Sequence, residues 1–149
     1  MRNQATQKAD TTRGPVTAPR KPACLIVEDS EFDSAKLIRV LNRSLEDVHI
    51  AVAPTLSRAR EALRQGMADL ILLDNNLPDG LGANFAQELA RDPRLANIPV
   101  IMVSDWPSPF MWQKAASAGV FYVVNKSEFD ARYIFATLKM ARERREKMI

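Results

Sequence analysis

The sequence is poor in the residues that build most metal centres and hydrolytic triads. Of 149 residues, one is cysteine and one is histidine. A lone Cys24 excludes an internal disulfide framework and a cysteine-built zinc site, and is most simply a small buried hydrophobe. A lone His49 excludes a multi-histidine metal centre and leaves little from which to build a Ser–His or Cys–His pair. No apolar run approaches the roughly 20 residues that span a bilayer, and no apolar segment follows Met1 as it would in a signal peptide. What is there is 46% apolar and 26% charged, the composition of a globular domain with a real core. The expectation is one cytoplasmic domain with no membrane segment.

A net charge of +3 invites a nucleic-acid reading until it is divided along the chain. Residues 1–22 carry five basic groups against Asp10, and residues 139–149 carry five against Glu143 and Glu146. The body between them is therefore acidic, at −4, and nucleic acid is not an expected partner of the fold. The first segment, polar and punctuated by Gly14, Pro15, Pro19 and Pro22, reads as a flexible basic tail. Residues 139–149 read as a charged extension of the last helix, whose final turns after Ala141 have nothing to bury.

From Ala23 short apolar runs alternate with segments of helical period. The strand candidates are Cys24–Val27, Val48–Ala53, Leu70–Leu73, Val100–Val103 and Val120–Val124, mostly continuous runs suited to a parallel sheet covered on both faces. Helices are expected over Phe32–Leu45, Leu56–Gln65, Ala83–Arg91, Phe110–Ala118 and from near Glu128, with Gly66 and Gly119 as left-handed stops. In the last helix Phe129, Tyr133, Ala136 and Met140, with Ile134, Leu138 and Ala141, form a broad apolar face. Met102, Met111 and Met140 all read as core. The fold class is α/β, a doubly wound five-stranded parallel sheet of (βα)5 flavodoxin-like type over 23–138.

In such sheets sites form beyond the carboxyl ends of the strands. Glu28, Asp29 and Ser30 follow the first strand, Asp74 through Gly80 the third, Ser104 and Asp105 the fourth, and Asn125 and Lys126 the fifth. Taken singly, each has a plain structural reading: helix caps for Glu28, Asp29 and Ser104, a turn after Asp74, and a surface lysine. Together, carboxylate oxygens suit Mg²⁺, and an ammonium and a hydroxyl suit phosphoryl oxygens.

The run Leu25-Ile26-Val27-Glu28-Asp29, the loop Leu72-Leu73-Asp74 through Pro78-Asp79-Gly80, Ser104 and Lys126 together resemble the response-regulator receiver domains of two-component signalling. The resemblance implies that Asp74 is the nucleophile taking a phosphoryl group from a histidine kinase or a histidine phosphotransfer protein. It implies Mg²⁺ held by Asp29, Asp74 and the backbone carbonyl of Asn76, with Glu28 acting through water. Lys126 would pair with Asp74 and then with a phosphoryl oxygen, and Ser104 would move to hydrogen-bond that group. A cation and an ammonium remove the repulsion between two anions, and the added charge of roughly −1.5 to −2 then biases nearby loops.

Four positions depart from the family pattern. Asp105 and Trp106 follow the switch hydroxyl, where a small residue is usual. Val123 takes the place of a rotating aromatic, and Ser127 that of a proline after the lysine. These point to an altered readout surface at Trp106, Phe110, Trp112 and Tyr122, and to slow phosphoryl loss if the Trp106 ring shields the site. The expected function is a stand-alone phosphoacceptor, not an enzyme acting on other molecules, that signals by phosphorylation-controlled binding of a downstream protein or by phosphorelay. A homodimer through the fourth and fifth helices is a further expectation. The alternative is a non-phosphorylated pseudo-receiver acting as an interaction module. A metal-dependent phosphohydrolase fits poorly, because Asn76 stands where a second acid is wanted.

Overall fold

The computed structural model describes residues 21–147. The expected basic tail lies outside these apart from Lys21 and Pro22, as do the last two residues of the charged extension. Five strands form one parallel sheet: β1 (Ala23–Val27), β2 (His49–Ala53), β3 (Leu70–Leu73), β6 (Val100–Ser104) and β7 (Tyr122–Asn125), in the order β2-β1-β3-β6-β7. Helices α1 (Glu31–Ser44), α2 (Leu56–Gln65), α3 (Gly82–Arg91), α4 (Pro109–Ser117) and α5 (Ala131–Lys147) connect and flank them. The expected doubly wound α/β fold is present, and the strand order reverses between β1 and β3, where a ligand crevice is expected.

The core follows from the period of two along each strand. Leu25, Val27, Ile71, Leu73, Val100, Met102 and Val123 face one layer, packed with Leu56, Ala59 and Leu63 of α2, Phe85 and Leu89 of α3, and Met111 and Ala115 of α4. Cys24, Ile26, Leu70, Leu72, Ile101, Val103 and Val124 face the other, against Leu37 and Leu41 of α1 and Ile134 of α5. Each buried Val, Leu, Ile, Phe or Met side chain contributes about 1.5–3 kcal/mol by leaving water, which is why the central strands are apolar on both faces. Strand β2 lies at the edge, so most of it, His49 included, is exposed.

Several expectations need correction. A small antiparallel hairpin, β4 (Asn76–Leu77) and β5 (Gly80–Leu81), follows Asp74; two residues per strand are too short for any periodic signal. The fifth sheet strand begins two residues later than expected, because Gly119 at φ +76 ends the α4 segment and the chain must first cross to Tyr122. Helix α5 begins at Ala131 rather than near Glu128. Asn125 closes the intervening turn, accepting from the Ser127 backbone N–H at 2.8 Å and the Ser127 hydroxyl at 2.7 Å. Gly66 is not left-handed; its φ of −172° is extended backbone. Of the apolar face expected at the last helix, Phe129, Tyr133, Ile134 and Leu138 pack with the α1 layer and Ala141 is buried. Met140 is exposed, because the buried stripe of α5 is Ile134, Thr137 and Ala141. Residues 142–147 of the charged extension are exposed, and among them the Arg144 guanidinium lies 4.5 Å from the centre of the Phe121 ring.

Candidate functional site

Backbone ladders carry the chain one residue past the strands and so aim the acidic groups. The Glu28 N–H donates to the Ala53 carbonyl at 3.0 Å, the Asp74 N–H to the Val27 carbonyl at 3.0 Å, and the Lys126 N–H to the Ser104 carbonyl at 3.0 Å. All three residues thus stand at the carboxyl edge of the sheet. Ser30 caps α1, its hydroxyl accepting from the Asp33 N–H at 3.2 Å, and its own N–H donates to Glu28 Oε2 at 3.1 Å. The loop after Asp74 is held at two places. Asn75 Oδ1 accepts from the Ala83 N–H at 3.0 Å, supplying α3 with the cap that Leu81 cannot. Asp79 accepts from the Leu56 and Ser57 N–H groups at 2.8 and 3.0 Å, clamping the hairpin onto the start of α2.

Ligand oxygens of Glu28, Asp29 and Asp74 lie within 4.8 Å of one another. Asp74 and Glu28 are buried, whereas Asp29 faces solvent. Burial raises the carboxyls of Asp74 and of Glu28 above their ordinary values, against the lowering effect of Lys126 on both. Three hard oxygen donors in that space match what a Mg²⁺ ion takes from a protein. Glu28 Oε1 is also buried, compensated by the Lys126 ammonium at 2.8 Å rather than by a directed hydrogen bond. The donor set therefore fits such an ion.

Lys126 sits at the centre of the acids. Its Nζ is 2.8 Å from Glu28 Oε1, an ion-pair contact lying off the hydrogen-bonding direction, and it donates to Asp33 Oδ2 at 2.8 Å. Asp74 Oδ1 is farther away at 3.5 Å, and Asp105 Oδ2 lies at 3.8 Å. Burial by itself would lower this ammonium, but the contacts to Asp33 and Glu28 and the charge of Asp74 outweigh that and hold it well above its usual value. Ser104 is buried, its hydroxyl accepting from the Trp106 N–H at 3.3 Å.

Of the expected residues, Glu28, Asp29, Asp74, Ser104 and Lys126 meet at this edge, and Asn76 opens the hairpin beside it. Asp33 is the acidic residue the sequence reading missed; its place three residues after the Ser30 cap, in the first turn of α1, was the available signal. Trp106, Phe110 and Trp112 are 84%, 65% and 50% exposed, standing out of the core around the start of α4. The Trp106 ring, so exposed, covers little of the site. Tyr122 does not join them. Its ring meets Tyr133 edge-on at 5.2 Å in the layer of α1 and α5, whereas Val123 points into the layer under α4. A shallow cavity of about 280 Å³ between β1, β2 and α2, lined by Cys24, His49 and Met67 among others, carries no carboxylate.

Comparison with known proteins points the same way. The family of response regulator receiver domains matches residues 24–139. Over 89 residues the chain is 33% identical to the protein-glutamate methylesterase/protein-glutamine glutaminase 3 of Burkholderia lata, covering 60% of this chain and 24% of that protein. Over 99 residues it is 27% identical to the two-component response regulator ORR8 of Oryza sativa subsp. indica, covering 66% of this chain and 80% of that one. The chain spans about a quarter of the length of the methylesterase relatives, so their activity does not carry over with the match. Among solved structures, the Mn²⁺-bound response regulator Rcp1 is 27% identical with a TM-score of 0.66, over 80% of this chain and 88% of that one. A CheY-like receiver from Methanospirillum hungatei JF-1, at 20% identity and a TM-score of 0.72 over 87% of this chain and 100% of that one, shares the fold.

Proposed function

Because the chain belongs to the response regulator receiver domain family, we propose that it takes a phosphoryl group on Asp74 from a histidine kinase or a histidine phosphotransfer protein. The observation that carries the reading is the buried Asp74 carboxylate beside Asp29 and Glu28, with a cationic Lys126 at 3.5 Å. In the transfer an Asp74 carboxylate oxygen forms a bond to phosphorus as the P–N bond of the donor histidine breaks. The imidazole leaves with the electron pair and takes a proton from solvent. Asp29, Asp74 and the Asn76 carbonyl would hold Mg²⁺, with Glu28 reaching it through water. When bound, the ion neutralises phosphoryl oxygens that would otherwise repel the carboxylate. Lys126 supplies the second positive charge, and Ser104 turns from the Trp106 N–H toward the phosphoryl group. The chain's chemistry is then confined to its own phosphorylation and dephosphorylation, and its output is phosphorylation-dependent binding of a protein target in the cytoplasm.

The test is intact mass after incubation with acetyl phosphate and Mg²⁺. The expected result is a single phosphoryl adduct, not formed when EDTA is present during the incubation and absent in Asp74→Asn. A wild-type chain that takes up no phosphoryl group overturns the reading. It would favour a pseudo-receiver, for which Val123, buried in place of a mobile aromatic, is the supporting observation.

A further inference from the structure

The Lys126 ammonium makes its one well-directed hydrogen bond to Asp33, not to the proposed phosphoacceptor. Asp33 Oδ2 accepts at 2.8 Å, while Asp74 Oδ1 stands at 3.5 Å, outside hydrogen-bonding range. Asp33 belongs to the first turn of α1, and its own N–H is tied to the Ser30 cap. Its carboxylate is thus fixed on a rigid element beside the nearly buried ammonium. A hydrogen bond between two charged groups is shorter and about twice as strong as a neutral one, so the Asp33 bond, together with the Glu28 ion pair at the same 2.8 Å, places Nζ. A lysine ammonium is a compact charge on a flexible stem, so a small shift of Nζ can exchange one acceptor for another.

We propose that Asp33 is a positioning residue that holds the Lys126 ammonium on the α1 side, away from Asp74, and so sets how readily Asp74 is phosphorylated. The proposal rests on the phosphoacceptor reading above. In the unphosphorylated chain the ammonium is shared between Asp33 and Glu28. When a phosphoryl group approaches Asp74, its oxygens compete with Asp33 for the same N–H donors. Every increment by which Asp33 stabilises the starting state, but not the transfer, raises the barrier. Asp33 is therefore a brake, and one that couples the state of Asp74 to the start of α1.

Asp33→Asn keeps the shape and an acceptor oxygen but removes the charge. The experiment measures the initial rate of phosphorylation by acetyl phosphate at saturating Mg²⁺, by intact mass, in wild type, Asp33→Asn, Asp33→Glu, Asp105→Asn and Asp74→Asn, with Tm recorded for each. The expected result is an increase of about tenfold in the maximal rate for Asp33→Asn, with the phosphate-donor KM unchanged, and return toward the wild-type rate in Asp33→Glu. Such a factor corresponds to about 1.4 kcal/mol. Asp105→Asn removes a charge from the same cluster without removing a hydrogen bond, and is expected to change the rate less than twofold.

An unchanged or lower rate in Asp33→Asn, with or without a fall in Tm, makes the contact merely structural and overturns the proposal. An equal acceleration in Asp105→Asn also overturns it, since the effect would then be diffuse charge. If the wild type itself takes up no phosphoryl group, the phosphoacceptor reading fails and this proposal with it. If wild type is phosphorylated and Asp74→Asn is not, a flat result at Asp33 sinks this proposal alone.

Discussion

Replacing Gly82 by alanine tests the close approach of the α3 start to the backbone of Asp74. A Cβ built on Gly82 overlaps the Asp74 carbonyl oxygen and comes within 3.0 Å of the Asp74 carbonyl carbon and 3.1 Å of Asn75 Cα. All three atoms are backbone, so no rotamer change relieves the overlap and the segment must separate. Two hydrogen bonds lie in the path: the Gly82 N–H to the Asn75 carbonyl at 2.7 Å, and the Ala83 N–H to Asn75 Oδ1 at 3.0 Å. Each is worth about 1 kcal/mol, and the second supplies the start of α3 with the side-chain cap that Leu81 does not. Loss of both with residual strain gives about 2–4 kcal/mol, offset by under about 1 kcal/mol of improved helix propensity. In a domain of this size that is a Tm lower by about 10 °C. Gly66→Ala is the matched control, because nothing lies within 4 Å of its Cβ and its φ is extended, and its Tm should stay within about 2 °C. Thermal and urea denaturation followed by circular dichroism would measure both. A Gly82→Ala protein as stable as Gly66→Ala would refute the argument from backbone contact.

Three further outcomes follow from the same geometry. Asp79→Ala removes both N–H acceptors at the start of α2 and should cost about 1–2 kcal/mol in urea titrations, while Thr55, the local cap, still accepts from the Arg58 N–H. Thr137 carries a fully buried hydroxyl with no hydrogen-bond partner among the described residues, so Thr137→Val should raise stability by about 1 kcal/mol; a fall would show that the hydroxyl is satisfied in solution. Because burial raises the Asp74 and Glu28 carboxyls, the folded state binds protons more readily than the unfolded chain. Their contribution to stability is complete below the ordinary carboxylate range and is lost as pH rises through the raised values. In metal-free buffer Asp74→Asn should therefore melt above wild type at neutral pH, with the gap closing by about pH 3. A gap that widens on acidification would contradict the assigned direction.

Much of the site was legible because its residues occupy strand ends, and strand ends are marked locally. The runs before Glu28, Asp74 and Lys126 are apolar and bounded by polar residues, so their placement at one edge followed from the alternation of strands and helices. The hairpin at Asn76–Leu81 was hidden because two residues per strand carry no period. Tyr122 was misplaced by sequence adjacency: a strand sends neighbours to opposite faces, and one step along β7 moves a ring from the α4 layer to the α1–α5 layer.

By itself the sequence determined the (βα)5 order, the acidic edge and the separation of basic ends from an acidic body. These depend on period, composition and residues adjacent in the chain. Tertiary structure alone decided which carboxylate the ammonium chooses, since Asp33 and Lys126 are 93 residues apart. Their meeting depends on how Leu37 and Leu41 seat α1 against the sheet, a matter of packing between layers. Likewise only the folded chain brings Gly82 against the backbone of Asp74, and Asp79 onto the start of a helix that precedes it by more than twenty residues. Local pattern sets what each segment becomes, and burial between segments sets which polar atoms are left close enough to react.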